Sequence, residues 1–202
     1  MIDGRNTMPE SYTTGRHGMV RPMATRQYPK QAVLRDGRSV LIRPFRREDA
    51  DELHRFFLGL PAHIRRFAWD KIEQKALVES WAENINYDNA LPLLAFDRSR
   101  IVADATLHRR EHGPLRLVGR IKWLIDPSFR GVGLGALLVN LLMDVARGRG
   151  LRNLTCMLIS DLEQDAIDVL TPLGFKEYRI PGYGADPDGN AHDMSKLVYS
   201  FD

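Results

Sequence analysis

Seven consecutive residues, Arg130-Gly131-Val132-Gly133-Leu134-Gly135-Ala136, carry the most distinctive chemistry in the chain. Glycine at every second position clears side chains from the main chain, so a large anion could approach it without meeting a Cβ. Upstream, Ile121, Trp123 and Ile125 alternate with Arg120, Lys122 and Leu124, the two-residue period of a strand. Asp126-Pro127 stops that ladder, because proline has no N–H to donate and restricts the residue before it. Downstream, Leu134, Leu137, Leu138, Leu141, Leu142 and Val145 recur at helical spacing until Gly148 and Gly150 close the segment. A strand, glycine-rich turn and helix in this order aim several N–H groups and a positive helix end at one point. The chemistry this predicts is the cradling of a phosphate.

Acid–base candidates are fewer. Asp104, Thr106 and His108 alternate onto one face of a neighbouring strand, and a histidine there could titrate near neutrality. The plainer readings make His108 an exposed or hydrogen-bonded strand residue and pair Asp104 with Arg120 or Lys122 across the sheet. Glu163, His192 and Asp193 are weaker candidates. Cys156 alternates with Leu154 and Leu158 and reads as core. No zinc-like or other metal-ligand spacing occurs.

The elements that must position these residues follow from pattern. A short hairpin is expected over Ala32–Leu34 and Val40–Ile42, turning at Asp36-Gly37 and ending at Pro44. Helical stretches follow from about Arg47 (Leu53, Phe56, Phe57, Leu60), over Ala62–Phe67, and over Gln74–Ile85, where Leu77, Trp81 and Ile85 share a face. Leu91–Phe96 and Ile101–Arg110 form a second hairpin, and Leu115–Ile125 leads into the glycine turn. Beyond the central helix come a strand over Leu151–Ile159 and a helix over Leu162–Leu170, with Gly174 as its stop. Phe175–Ile180 and Met194–Phe201 are the last strands, joined through Asp186-Pro187-Asp188-Gly189.

Composition bounds the rest. The 202 residues suit one domain with a tail. Residues 1–28 hold Gly4, Pro9, Gly15, Gly18 and Pro22 with little apolar periodicity, and are expected to be a disordered basic tail. Five cations against two acids in residues 1–31 account for the whole net charge of +3. A neutral body argues against nucleic acid as a partner. The sequence holds no run of eighteen apolar residues and its first residues do not resemble a signal peptide, so neither a membrane span nor a secretory leader is expected. A single cysteine suits a reducing compartment, so the expected location is cytoplasmic.

One alternative for the glycine turn is a dinucleotide site, since Gly131 to Ala136 also satisfies G-x-G-x-x-G/A and Asp161 follows the next strand. That fingerprint places its first glycine directly after a strand at the chain's beginning. Here five residues intervene, Pro127 and Arg130 among them, and about 120 residues precede the motif.

With its flanks, Arg130-Gly131-Val132-Gly133-Leu134-Gly135 instead resembles the Q/R-x-x-G-x-G/A signature of the GNAT superfamily of N-acetyltransferases. The resemblance runs from about Arg35 to the C-terminus and includes Leu41-Ile42-Arg43-Pro44 and Leu173-Gly174-Phe175. It is nearest to small bacterial members related to protein-lysine acetyltransferases. It implies a mixed α/β (α+β) acyl-CoA N-acyltransferase fold over residues 29–202, a mostly antiparallel sheet flanked by helices. It further implies acetyl-CoA as acyl donor. Amides of Gly131, Val132, Gly133, Leu134, Gly135 and Ala136, with Arg130 before them, would hold the pyrophosphate. The strand edge at Trp123, Leu124 and Ile125 would hydrogen-bond the pantetheine arm as an added strand does. Glu163 stands where relatives often carry an asparagine that touches that arm. The segment between the first strands lines the acceptor side, which makes Phe67, Trp69 and Trp81 candidate pocket walls, although aromatics at helical spacing are commonly core.

The sequence departs from the family at the proton-transfer positions. Arg120 replaces a glutamate base and stays protonated at physiological pH. Leu170 replaces a tyrosine acid. The expected reaction is acetyl transfer to a primary amine, of a small molecule or a protein lysine, by direct attack in a ternary complex. His108, Asp104 or water would take the proton. Arg120 and Lys122 share a face and would bind an acidic acceptor, unless they form only a solvated edge. Two other readings are an acyl-CoA-binding module without catalysis and a transferase for longer acyl chains. The chain is expected to be a monomer or homodimer.

Overall fold

The computed structural model describes residues 27–201. The expected tail therefore lies outside the described residues except for Gln27 and Tyr28, and Tyr28 is buried in the main core. Eight strands of the described residues form one sheet: β1 (Lys30–Val33), β2 (Ser39–Pro44), β3 (Ala90–Asp97), β4 (Arg100–His108), β5 (Val118–Ile125), β6 (Asn153–Ile159), β7 (Lys176–Ala185) and β8 (Ala191–Ser200). Their order across the sheet is β1-β2-β3-β4-β5-β6-β8-β7. Every neighbouring pair is antiparallel except β5 with β6.

Among the described residues, five α-helices cover the two faces: α1 (Ala50–Gly59), α2 (Ala62–Arg66), α3 (Lys75–Glu83), α4 (Leu134–Gly148) and α5 (Gln164–Leu170). On one face α4 presents Leu134, Leu138, Leu142 and Ala146, all without exposed surface, to Ala103, Ala105, Leu107, Ile121 and Leu154. Burying one leucine of this row contributes about 1.5–3 kcal/mol. Leu138→Ala would cost about 2–5 kcal/mol once the cavity is included. On the other face, Leu53, Phe56, Phe57 and Val78 of α1 and α3 enclose a second core with Leu94, Phe96 and Ile101 of the sheet. Two covered faces explain why β3 and β4 read as nearly continuous apolar runs.

Two expectations change. The buried positions of α3 are Val78 and Ala82 rather than the stripe through Leu77 and Ile85. Trp81 is half-buried and meets Phe57 edge-on with ring centroids 6.3 Å apart. The last two strands also run longer than their patterns suggest. β7 continues through Pro181 to Ala185, with a register break between Ile180 and Gly184. Proline is tolerated there because β7 is an edge strand.

Candidate active site

The parallel pair at the centre of the sheet separates early. β5 and β6 are in register only over Val118–Arg120 and Asn153–Thr155. Ile121 to Ile125 therefore have no partner on the β6 side, while their other edge stays paired with β4 from Leu107 to Ala103. Trp123, Leu124 and Ile125 lie on this open edge. Their side chains alternate between the two cores: Trp123 packs against the main one and Leu124 against the second. A cleft lined by free main-chain groups thus runs between β5 and β6 toward the start of α4.

The glycine turn stands at its end. Asp126 accepts from the Ser128 amide at 2.9 Å and starts one helical turn over Pro127–Phe129. The chain then reverses through Gly131, φ 71°, and Gly133, φ 91°. Both angles lie where a Cβ is strained, so glycine is required. Gly133 is the N-cap of α4 and offers no side chain to the first-turn amides. The first helical bond at this end runs from Leu137 N–H to Gly133 O, 3.1 Å. The earlier amides point out of the helix, as helix starts leave them. Gly135 serves packing: a Cβ there would approach Ile125 Cδ1 to 3.3 Å, so its absence lets α4 lie close on β5. The arrangement fits an anionic group followed by an extended arm.

Glu163 lies across the cleft, at the end of β6. Its carboxylate accepts the Ile159 N–H at 2.7 Å, and burial pushes its pKa up while Arg130 pulls it down. Arg130 itself is exposed beside the turn.

The other side of the cleft is the sheet face shared by Asp104, Thr106 and His108 with their ladder partners Leu124, Lys122 and Arg120. The expected pairing of Asp104 with a cation across the sheet does not form. Lys122 Nζ reaches instead to Asp70, 2.9 Å away, and lies 5.8 Å from the Trp69 ring centroid. Thr106 Oγ1 donates to Asp104 at 3.1 Å. Burial pushes the Asp104 carboxyl up to about 7, with Thr106 and Lys122 working against the rise. His108 behaves oppositely and does not titrate near neutrality. Burial, reinforced by Lys122 and Arg120, lowers it to about 4, so its ring is neutral at pH 7.

Trp69 and Asp70 lie over Lys122 on this face. Phe67 meets His192 edge-on at 5.9 Å, and Arg66 pairs with Asp188 on the β7–β8 hairpin. Arg120 is exposed and makes no salt bridge among the described residues. Leu170 is wholly buried and Cys156 nearly so, its thiol pushed up by burial; both belong to the main core. Sequence reasoning did not anticipate Asp70 or the approach of Arg35 to Gly133; the only signal for Arg35 was its place at the Asp36-Gly37 turn.

Comparison with known proteins agrees with this geometry. The model of the family described as Acetyltransferase (GNAT) domain matches residues 39–176. An acetyltransferase of Pseudomonas aeruginosa is 30% identical over 181 residues, which cover 82% of this chain and 87% of its own. The GNAT domain of S. lividans PAT has a TM-score of 0.72 at 19% identity, covering 90% of this chain and 99% of that domain. Salmonella typhimurium yncA, solved with its cofactor acetyl-CoA, has a TM-score of 0.65 at 19% identity, covering 81% of this chain and 94% of its own.

Proposed function

Because the chain belongs to the GNAT acetyltransferase family, we propose that it carries an acetyl group from acetyl-CoA to a primary amine in one direct transfer. The observation that carries this reading is the unpaired β5 edge from Ile121 to Ile125, leading into an uncapped helix start. In this reading the amides of Gly131 to Ala136 hold the diphosphate, with Arg130 beside them. Trp123, Leu124 and Ile125 pair with the pantetheine arm and direct an amide at the thioester oxygen. Acetyl-CoA supplies an activated carbonyl carbon. The amine nitrogen bonds to that carbon, the carbon–sulfur bond breaks, and coenzyme A leaves as its thiol.

Asp104 is the residue we assign as base. It sits one strand from the open edge, opposite Leu124, and its pKa of about 7 suits proton transfer at neutral pH. His108, at about 4, is a far weaker acceptor. Trp69 and Asp70 roof the acceptor side, while Arg120 and Lys122 line it and favour an amine that carries an acidic group nearby. Trp81 contributes by packing on Phe57 at the back of that wall. One buried cysteine and no membrane-long helix among the described residues are compatible with a cytoplasmic location.

A second reading rests on Arg120 and the buried Leu170, which leave the family's two proton-transfer positions without a working group. It makes the protein a binding module for acyl-CoA. Mixing the protein with acetyl-CoA and a panel of primary amines, and following free thiol, separates the readings. Thiol release that depends on the amine supports transfer. Tight binding without release favours the module, and release only from longer thioesters favours a longer-chain donor.

A further inference from the structure

We infer that Arg35, at the tip of the β1–β2 hairpin, is a phosphate-binding side chain of the donor site and acts on the same diphosphate as Arg130. The inference rests on the reading above that the glycine turn receives a diphosphate. Its own basis is the placement of Arg35, far from the motif in sequence. The Arg35 N–H donates to Val132 O at 3.1 Å, which ties the hairpin to the turn itself. A Cβ built on Gly133 would meet Arg35 Nε at 3.4 Å and its Cγ at 3.6 Å, so the side chain runs along the bare side of that glycine.

The hairpin is fastened at further points. Arg38 donates to Ser128 O at 2.7 Å, and its guanidinium lies 3.7 Å from the Phe129 ring centroid. Arg38 is thereby occupied as a strut, and Arg35 is the cation left facing the turn. The neighbouring carboxylates are already engaged. Asp36 binds Arg38 at 2.6 Å, and Asp126 binds Arg100 at 2.6 Å as well as Ser128. Neither Arg35 nor Arg130 makes a salt bridge among the described residues, and both are exposed.

Two arginines without a salt bridge among the described residues therefore stand at the positive end of α4, where a cation is disfavoured, and Arg130 is offset only by the Glu163 carboxylate that it acts on at longer range. An anion bound between them reverses that sign. The guanidinium fork also matches paired phosphate oxygens, which a lysine does not. The folded protein carries this repulsion for the ligand rather than for its own stability.

The test is calorimetric titration of wild type, Arg35→Gln and Arg35→Lys with coenzyme A and with its 3′-dephospho form, together with Tm values without ligand. Arg35→Gln is expected to bind both ligands about ten- to a hundred-fold more weakly, as loss of a charge-assisted hydrogen bond implies. Its Tm should equal or exceed that of wild type, and Arg35→Lys should recover part of the affinity. Unchanged affinity in Arg35→Gln, with wild type binding well, overturns the inference and leaves the donor-site reading intact. Failure of wild type to bind either ligand removes both. A penalty confined to coenzyme A would move Arg35 to the 3′-phosphate and overturn the diphosphate assignment. A lower Tm with no recovery in Arg35→Lys would make Arg35 a hairpin strut and equally overturn it.

Discussion

Lys122 pairs with Asp70 across 2.9 Å and not with Asp104 on the adjacent strand. Asp104 is left with a threonine hydroxyl as its one hydrogen-bond donor among the described residues, and burial raises its pKa to about 7. A carboxylate in this state is a base at neutral pH. The rate of amine acetylation, as kcat/KM, should therefore rise with pH through about 7 and then level. Asp104→Asn should lose the limb and about 100-fold or more in kcat. His108→Gln should keep the limb. A pH profile on the three proteins decides it, and an Asp104→Asn enzyme with the wild-type profile would remove Asp104 from catalysis.

The same shift has a consequence for stability. Folded Asp104 titrates near 7, whereas an unfolded aspartate titrates near 4. Between those values the folded state keeps a proton that the unfolded chain has lost, so stability falls as pH rises across the window. Above about 7 both forms are ionised and the penalty is constant. Asp104→Asn carries no such penalty and should gain on wild type between pH 4 and pH 8. Urea denaturation of both proteins at those two pH values measures the gain; a constant difference would contradict it.

Lys122 and Asp70 tune the base from outside. Lys122 lowers the Asp104 pKa, and Asp70 raises it. Lys122→Ala removes the first influence and unmasks the second, so the rising limb should move to higher pH. An unmoved limb would show that Lys122 does not act on the base. Arg120→Ala, in contrast, should narrow the preference for acidic amines in an acceptor panel, and equal selectivity would dispose of that role.

Leu170, which the family resemblance sets where a tyrosine acid would stand, is wholly buried in the main core. Leu170→Tyr should overpack the core at a cost of about 1–3 kcal/mol, without restoring an acid. The expected readouts are a Tm lower by several degrees and an unimproved kcat. A rise in kcat would mean that the ring reaches the cleft.

Much of this site was legible in the sequence because its signals are local. Strand alternation, Asp126-Pro127 and the spaced glycines each report on residues beside them, and the turn forms where they indicate. The acceptor side depends on contacts between segments remote in the chain. Asp70 meets Lys122 only because the loop after α2 folds over β5, and the alternation on β5 cannot reveal which acid lies above it. Arg35 reaches Gly133 through the docking of a hairpin, which periodicity does not encode. The neutral state of His108 is hidden from the strand pattern for a related reason: burial, with Lys122 and Arg120 nearby, is a tertiary property. The length of β7 was missed because Pro181 and Gly182 read as breakers in a strand whose outer edge needs no partner.

In the proposed donor site, main-chain amides between β5 and α4 hold the phosphates of coenzyme A. Titrating coenzyme A into 15N-labelled protein and following the backbone amide resonances tests this contact most directly. Those of Gly131, Gly133, Leu134, Gly135 and Ala136 should shift together and saturate, while those of α1 stay in place. Resonances at the turn that do not move at saturating coenzyme A, or shifts confined to other segments, would contradict the account.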